Sequence, residues 1–451
     1  MDITLFQISN PWRYGLAWTV PEIPRRVTRE ILDWMPEPEI LVLTGARQTG
    51  KTSILYQLID QLIRQRGVSP EDISFFSLDL QGTDFLLEDQ GRFLRFLGSL
   101  DRPRKYVFID EVQRMPDPGR FVKGVHDQRL PLKFILTGSS TLELRAKTGE
   151  PLTGRKRVFP VTPLTFGEFV RTLPFGDTLP SDPRPSNIGP WIGALNDALD
   201  SYASYGGYPA VVQTRDALRK RERLHEIFGS YLEKDIAGFL RVENLPAFRK
   251  LVTCLAAQAG SLVNVHELAG TVGIHQETVK RYLHYLESTF VIHRLLPWCA
   301  NPRTELSKSP KIHFADPGIR NGVLGTFTPP LGRPDGGAVV EGIVAAHLLN
   351  RPGRQDRVNF WRTQSGAEVD FVLSSTRAEQ AVEVKSGEPR SLKVGRGFRS
   401  FLGKYAPPRA TLLNRSRWES VDVGGHRVEF VPTAVFLLEE TDTQAPFLPL
   451  S

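Results

Sequence analysis

The residues best suited to chemistry form a glycine-containing loop between an apolar run, 40–43, and an amphipathic run, 54–63. The loop and the residues after it are Gly45, Ala46, Arg47, Gln48, Thr49, Gly50, Lys51, Thr52 and Ser53. Glycines allow backbone N–H groups to turn inward around phosphates, whose charge faces the positive end of the next helix. This is the P-loop pattern, in which Lys51 reaches the β and γ phosphates and the Thr52 hydroxyl binds Mg²⁺. We therefore expect ATP and Mg²⁺ as cofactors.

Two carboxylates, Asp110 and Glu111, close a short apolar strand at 106–109. In a Walker B arrangement the first carboxylate holds Mg²⁺, and the second orients and deprotonates the attacking water. Taken alone, the same pattern describes an acidic turn after a strand. Its position after a P-loop favours the catalytic interpretation, with Asp110 as a metal ligand and Glu111 as the base.

Hydroxyl groups close the next apolar run, 133–136, which ends in Thr137, Gly138, Ser139 and Ser140. Many ring-forming ATPases carry a polar group at this position, where it contacts the γ-phosphate or the lytic water. Ser139 and Ser140 are the candidates for that contact. As loop residues alone they would carry little meaning.

A second set of charged residues lies in the last third of the chain. Glu341 lies near the start of a predicted helix, Asp370 lies on a predicted strand, and Glu383 and Lys385 share one face of the next strand. In restriction-enzyme folds Asp370 and Glu383 would hold Mg²⁺, Lys385 would activate water and Glu341 would add a ligand. The alternatives are a solvated edge strand or a DNA clamp that does not cut.

Between these two regions, the sequence predicts a helix from Val265, a turn at Gly273 and a second helix from His275 or Gln276. This spacing is typical of the helix–turn–helix that binds DNA, and the apolar run after it, 291–297, suggests the first strand of a wing. The expected DNA contacts, mostly to phosphates, are Gln276, Thr278, Lys280 and Arg281. The alternative is a domain that serves only as a lid or in dimerisation.

Composition limits the possible classes of protein. The 451 residues exceed one ordinary core, so we expect about three domains. A net charge of +7 is compatible with a polyanionic partner. The 2 cysteines are too few for a disulfide framework or a cysteine-built zinc site. We find no signal peptide and no membrane-spanning run, and we expect a cytoplasmic protein.

Several blocks together resemble the AAA-type ATPases that carry a carboxyl-terminal DUF4143 domain; they are GARQTGKTS, VFIDEVQ, FILTGSS, LTGRKRVFPVTPLTFGEF and YGGYPAVV. The resemblance runs through nearly the whole chain and implies an α/β protein. Its parts would be a P-loop AAA-type ATPase core, a helical lid, a winged-helix domain and a PD-(D/E)XK-like α/β domain. The resemblance also makes Arg155 the candidate arginine that contacts the γ-phosphate, in its own subunit or across an interface.

The predicted boundaries follow from these blocks: an amino-terminal arm at 1–38, an ATPase core at 39–172, a linker and lid at 173–245, a winged helix at 246–300 and a nuclease-like domain at 301–451. We predict an ATP-hydrolysing motor that translocates on or remodels duplex or branched DNA. The resemblance implies a homo-oligomer, with a ring as one form. The alternatives are an ATP-gated switch that binds DNA or protein, and an ATP-regulated, Mg²⁺-dependent DNA nuclease.

Overall fold

The computed structural model describes residues 3–80, 87–98, 104–138, 152–240, 242–298, 309–350, 357–375, 379–388 and 391–438. The chain forms two compact units, Met1–Thr162 with Ser288–Phe290, and Pro163–Glu287 with Val291–Ser451. One unit contains a parallel sheet and the other a mixed sheet. The predicted α/β fold class is confirmed.

The sheet of the first unit has five parallel strands in the order β2-β3-β4-β1-β5. Its strands are β1 Ile40–Thr44, β2 Ile73–Ser77, β3 Lys105–Asp110, β4 Leu132–Gly138 and β5 Lys156–Pro160. Strands β1 to β4 are largely buried, as parallel strands covered on both faces are, which explains why they appear in the sequence as continuous apolar runs. Because β4 lies between β1 and β3, the carboxyl ends of these three strands meet at one edge of the sheet.

Helices cover both faces of this sheet; they are Ile3–Ser9, Arg26–Asp33, Lys51–Arg64, Gln90–Leu97 and Pro118–His126. Alternate strand residues point to opposite faces. Accordingly, Val107 and Ile109 belong to one apolar cluster and Phe108 to the other. The sheet is therefore held between two cores.

The second unit contains eight strands in the order β12-β13-β11-β10-β9-β8-β6-β7. They are β6 Ile292–Pro297, β7 Lys311–Phe314, β8 Arg357–Arg362, β9 Glu368–Ser374, β10 Glu379–Val384, β11 Arg409–Asn414, β12 Glu419–Val423 and β13 His426–Pro432. The pairs β6–β8, β10–β11 and β11–β13 are parallel, and the other neighbours are antiparallel.

The α-helices of this unit in the described residues are Phe166–Arg171, Pro185–Ile188, Ile192–Tyr205, Pro209–Val212, Ala217–Tyr231, Leu245–Ala257, Val265–Val272, Gln276–Ser288, Pro317–Leu324, Gly336–Leu349, Arg396–Tyr405 and Thr433–Leu438. The predicted helix–turn–helix is present, with Gly273 in the left-handed conformation at φ 83°. Across all the described residues, no helix is both long and apolar enough to cross a membrane.

The glycine pair that the sequence places at a bend between helices packs tightly against other backbone. An added Cβ on Gly207 would lie 2.1 Å from the carbonyl oxygen of Leu164, and Gly206 has φ 74°. The buried carboxylate of Asp316 accepts the Gly207 N–H at 2.8 Å and the Ile319 N–H at 3.0 Å. Asp316 therefore caps its own helix and holds the glycine bend in place.

Three local predictions differ from the structure. The run 291–297, expected to begin a wing, forms the strand β6, which pairs with β7 but also with β8 and so joins the eight-stranded sheet. The run 428–438, expected to be extended throughout, forms β13 and then the helix Thr433–Leu438. Strands β5 and β12 were not expected, because their sequences lack the apolar runs of buried strands and their positions depend on partners far along the chain.

Candidate functional site

The phosphate-binding loop has the backbone that its glycines predict. Gly50 has φ 92°, a left-handed conformation that favours glycine, and it directly precedes the helix Lys51–Arg64. No side chain of the preceding residue caps the amino end of that helix, and the positive end of a helix favours an anion. Gly45 has a different role, because an added Cβ would lie 2.0 Å from the carbonyl oxygen of Val161. One loop glycine thus shapes the turn, and the other permits close packing on the chain after β5.

Two buried cations hold the loop from either side. The Nζ of Lys51 donates to the carbonyl oxygens of Gly45 and Ala46, each at 2.9 Å. Arg25 donates to the Thr49 carbonyl oxygen at 2.7 Å and, through its other terminal nitrogen, to the Thr162 carbonyl oxygen at 2.7 Å. Its sequence context suggests a solvated basic face, but Arg25 is buried. Arg25 is therefore a structural anchor of the loop.

Asp110 is the centre of the nucleotide site. The exposed Thr52 hydroxyl donates to Asp110 Oδ2 at 2.8 Å, and the buried Thr137 hydroxyl donates to Oδ1. Burial raises the pKa of Asp110, although the two hydroxyl donors oppose that shift. The Thr52 hydroxyl and a carboxylate lie side by side, and hard oxygen ligands of this kind suit Mg²⁺. The residues present therefore fit the metal predicted from the sequence.

Glu111 is held by its backbone and by its side chain. It has φ 58°, which is uncommon for a residue with a side chain, and its N–H donates to Thr137 Oγ1 at 3.0 Å. The side-chain amide of Gln113 donates to Glu111 Oε2. The half-buried carboxylate is thereby oriented beside Asp110, as a general base must be.

The roles of Thr137 and Gln113 were not assigned from the sequence. The available signal for Thr137 was its place at the end of the strand that follows Walker B, where Ser139 and Ser140 were chosen instead. Both serines lie outside the described residues. Thr137 contacts Asp110 because β4 is inserted between β1 and β3, a strand order that local patterns do not encode.

Arg155 lies at the opposite end of the sheet from the phosphate loop. Ile40, the first residue of β1, pairs with Lys156, so Arg155 precedes β5, whereas the loop follows Thr44 at the far end of the strand. Its guanidinium donates to both carboxylate oxygens of Asp127, at 2.7 and 3.2 Å, and these bonds lower the pKa of Asp127. Because strand residues rise about 3.3 Å each, this placement excludes contact with a phosphate in its own loop. A role across a subunit interface stays a prediction.

The second unit contains a cluster of carboxylates around a buried lysine. Lys311 is 2% exposed, and its Nζ lies 3.0 Å from Glu341 Oε1 and 2.5 Å from Glu368 Oε1. Burial alone would lower the pKa of Lys311, but the charges of Glu341, Glu368 and Asp370 outweigh it and raise the pKa. Local sequence patterns do not indicate Lys311, because it lies on β7 and its partners come from a later helix and a later strand.

The three other predicted residues of this cluster, Asp370, Glu383 and Lys385, are also engaged. Asp370 Oδ2 accepts the Val384 N–H at 2.8 Å, and Lys385 Nζ lies 2.7 Å from Glu383 Oε1. Burial raises the pKa of both acids to about 7. Repulsion by Glu341 adds to the shift of Asp370, and repulsion by Asp370 adds to that of Glu383. Beside them, burial and the charge of Lys311 lower the pKa of His313 to about 3.

The predicted magnesium site at this cluster does not fit the observed geometry. Among the described residues, no three carboxylate, imidazole or thiol side chains are arranged to share one metal ion. Glu341 binds Lys311, Asp370 accepts a backbone N–H, and Glu383 binds Lys385. The carboxylates are instead neutralised by lysines of the protein.

The predicted DNA contacts lie on the second helix of the helix–turn–helix, where Gln276, Lys280 and Arg281 are exposed and Thr278 is half-buried. Two of them are tied to neighbours: Gln276 Nε2 lies 3.0 Å from the Nδ1 of His266, and Lys280 Nζ lies 2.7 Å from the carboxylate of Glu277. The structure thus places the four residues on one helix, and their contact with DNA stays a prediction.

Comparison with known families assigns three regions of the chain. Residues 37–170 match an AAA domain, residues 196–329 match a domain of unknown function, DUF8612, and residues 336–436 match a domain of unknown function, DUF4143. The first match contains the phosphate loop and the Asp110–Glu111 pair. The other two divide the eight-stranded sheet, since β6 and β7 lie in one match and β8 to β13 in the other.

Related proteins of similar length are uncharacterised. One from Mycobacterium tuberculosis is 27% identical over 88% of this chain and 79% of its own length, and one from Haemophilus influenzae is 23% identical over 89% and 96%. Among solved structures, a Walker-type ATPase of Pyrococcus abyssi is 16% identical over 67% of this chain and 96% of its own, with a TM-score of 0.44. By these matches the chain carries an AAA domain at residues 37–170, which includes the phosphate-binding loop, and a DUF4143 domain at residues 336–436.

Proposed function

We propose that this protein hydrolyses ATP at the site around Asp110 and uses the energy to translocate on or remodel duplex or branched DNA. The observation that carries the ATPase part is that the hydroxyls of Thr52 and Thr137 both donate to Asp110, while Thr137 also accepts the backbone N–H of Glu111. A hydroxyl beside a buried carboxylate supplies metal ligands, and an oriented second carboxylate supplies a base.

Each residue of the site has a defined task in this proposal. The loop N–H groups and Lys51 bind the phosphates, and Lys51 leaves the carbonyl oxygens of Gly45 and Ala46 to do so. Thr52 and Asp110 would hold Mg²⁺, which neutralises charge on the β and γ phosphates when bound. Glu111 positions a water and takes its proton.

The DNA part of the proposal rests on the helix–turn–helix and on charge. Three of the four predicted contacts on its second helix are exposed, and the whole chain carries +7. A net positive charge favours approach to a polyanion. We propose assembly into a homo-oligomer, with a ring as one form, because Arg155 is remote from its own nucleotide site and would act in a neighbouring one.

Turnover measurements test the ATPase and the motor separately. ATP hydrolysis is measured without DNA and with single strands, duplex and a four-way junction. Lys51→Ala should lose nucleotide binding, and Glu111→Gln should bind ATP without hydrolysing it. Arg64→Ala is the matched control, because Arg64 lies exposed on the last turn of the same helix. Wild-type turnover in Glu111→Gln would refute the assignment of the base.

Salt dependence tests the proposed DNA surface. Each phosphate contact contributes a slope of roughly −0.9 to the dependence of log affinity on log salt. Lys280→Ala and Arg281→Ala should weaken binding and each reduce the slope by about that amount. Arg223→Ala, an exposed arginine on the helix Ala217–Tyr231, should leave both unchanged. If Lys280→Ala and Arg281→Ala leave the salt slope unchanged, DNA binds at another surface of the protein.

A second candidate function is an ATP-gated switch that binds DNA or protein, with hydrolysis only resetting it. The contacts Gln276–His266 and Lys280–Glu277 favour it, because they tie predicted DNA-binding side chains to the protein itself. A switch should hydrolyse slowly whatever DNA is added. Its partner should bind with different affinity to Glu111→Gln with ATP and to the wild type with ADP, whereas a motor should show turnover stimulated by one DNA structure.

A further inference from the structure

The carboxylate cluster of the second unit already contains a cation supplied by the protein. Lys311 Nζ lies between the helix-borne Glu341, at 3.0 Å, and the strand-borne Glu368, at 2.5 Å. The position of Lys311 is fixed by β7, in which it pairs with Leu295 of β6. The Lys311 side chain is 2% exposed, so its ammonium group cannot turn away from the carboxylates into solvent. The ammonium group therefore stays between the two carboxylates.

The remaining acids of the cluster also have protein donors. Asp370 Oδ2 accepts the backbone N–H of Val384, and Glu383 Oε1 accepts from Lys385. The buried Oε2 of Glu383 has no hydrogen-bond partner among the described residues. Each acid of the cluster thus gives at least one carboxylate oxygen to a donor of the protein, which leaves fewer of these oxygens for the near-octahedral coordination that Mg²⁺ requires.

The charges of the cluster are nearly balanced without a metal. Its charged side chains are Glu341, Glu368, Asp370 and Glu383 on one side, and Lys311, Lys385 and Arg362 on the other. A divalent ion placed among these acids would be repelled by a lysine that cannot leave. The same fold without Lys311 would present an uncompensated acidic cluster.

We infer that Lys311 is the resident cation of this cluster, in the place of a divalent metal, and that the DUF4143 domain neither binds Mg²⁺ there nor cuts DNA by metal-assisted hydrolysis. The inference concerns Lys311 and the acids around it, and it does not depend on ATP hydrolysis at Asp110. This inference differs from the sequence-based expectation, in which the spacing of the acids and of Lys385 predicts a metal-dependent nuclease.

Mn²⁺ binding by the full-length protein tests the inference, with free Mn²⁺ followed by electron paramagnetic resonance in the absence of nucleotide. All proteins carry Asp110→Asn, which removes the metal ligand of the nucleotide site. Within that background we compare the parent with Asp370→Asn, Lys311→Met, and Lys311→Met combined with Asp370→Asn. The same four proteins are incubated with Mn²⁺ and with single-stranded, duplex and junction DNA.

The parent and its Asp370→Asn variant should bind Mn²⁺ equally, and neither should cut DNA. Lys311→Met should gain one Mn²⁺ per chain, and adding Asp370→Asn should remove it. Mn²⁺ binding or DNA cleavage by the parent that Asp370→Asn abolishes would overturn the inference, as would a folded Lys311→Met that gains no metal. If Lys311→Met does not fold, the parent and Asp370→Asn are compared by themselves. Equal Mn²⁺ binding by these two proteins supports the inference, and unequal Mn²⁺ binding refutes it.

Discussion

The hydroxyl of Thr137 donates to the carboxylate of Asp110 from the neighbouring strand, and the same oxygen accepts the backbone N–H of Glu111 at 3.0 Å. One buried side chain thus orients both the metal ligand and the base. Thr137 lies at this point because β4 is inserted between the strand of the phosphate loop and the strand of the two carboxylates.

Thr137→Val should lower ATP turnover by about 10- to 100-fold, because a hydrogen bond to a charged group contributes roughly 1.5–3 kcal/mol. Nucleotide affinity should change little, since Lys51 and the loop are untouched. Thr137→Ser, which keeps the hydroxyl, should restore most of the rate. Steady-state kinetics and binding of a fluorescent nucleotide check this, and equal rates for the valine and serine variants would contradict it.

Gln113→Leu should lower the turnover number by about tenfold and leave the Michaelis constant unchanged, because it removes the amide that orients Glu111. Gln113→Glu should be more damaging, since two carboxylates would then face each other. Both variants should still bind ATP as tightly as the wild type. A change confined to the Michaelis constant would show that Gln113 acts on binding instead.

Arg155→Ala should lose turnover while retaining ATP binding if the arginine serves a neighbouring subunit. Asp127→Ala, which removes the other member of the pair, should keep turnover. A mixture of Arg155→Ala and Lys51→Ala should regain ATP turnover. In a mixed oligomer the Lys51→Ala subunit supplies Arg155, and the Arg155→Ala subunit supplies an intact phosphate-binding loop. Equal effects of Arg155→Ala and Asp127→Ala, with no recovery on mixing, would assign Arg155 to local structure only.

His313 should make the second unit sensitive to acid. Its pKa is lowered to about 3 by burial and by the charge of Lys311, so between pH 6.5 and 3 the unfolded chain binds the proton that the folded chain refuses. The stability it contributes is complete above pH 6.5 and is lost as the pH falls, by up to roughly 1.4 kcal/mol per pH unit.

The comparison of wild type with His313→Phe and His313→Leu isolates this effect from other titrating groups. Raised carboxylate pKa values, such as those of Asp370 and Glu383, act in the opposite direction, and all three proteins share them. Denaturant unfolding from pH 7.5 to 5 should show a steeper loss for the wild type. Parallel curves for the three proteins would mean that His313 is not held neutral.

Asp316→Ala should destabilise the second unit by about 2–4 kcal/mol, because it removes a helix cap and leaves the buried Gly207 N–H without an acceptor. Asp316→Asn keeps one acceptor oxygen and should fall between the alanine variant and the wild type. Calorimetry can follow the unfolding transition of each protein. An alanine variant as stable as the wild type would show that the glycine bend needs no anchor.

The sequence was sufficient where function depends on local spacing. Gly50, Lys51 and Thr52 occupy the loop and helix positions predicted for them, and Asp110 ends its strand as expected, because neighbours in the chain determine these conformations. The same holds for the helix–turn–helix, whose apolar periodicity and Gly273 define it without distant partners.

Local spacing was insufficient where partners come from distant parts of the chain. Arg155 follows the other blocks in sequence, but the pairing of β5 with β1 places it at the wrong end of the sheet for its own nucleotide. Lys311 was overlooked because its carboxylate partners lie on a helix and a strand that follow later. Spacing along one strand can predict which residues share a face. It cannot predict that a lysine from a distant strand, Lys311, lies beside the carboxylates on that face.

The pairing of β6 with β8 also sets where this protein can be divided. Asn359 and Phe360 of β8 lie opposite Leu296 and Pro297, which belong to the preceding family match. In a fragment that starts at residue 336, the edge of β8 that pairs with β6 would be exposed. An unpaired strand edge can pair with a strand of another chain and cause aggregation. The smallest piece that keeps this pairing therefore begins before β6 and spans the boundary between the two matched domains of unknown function.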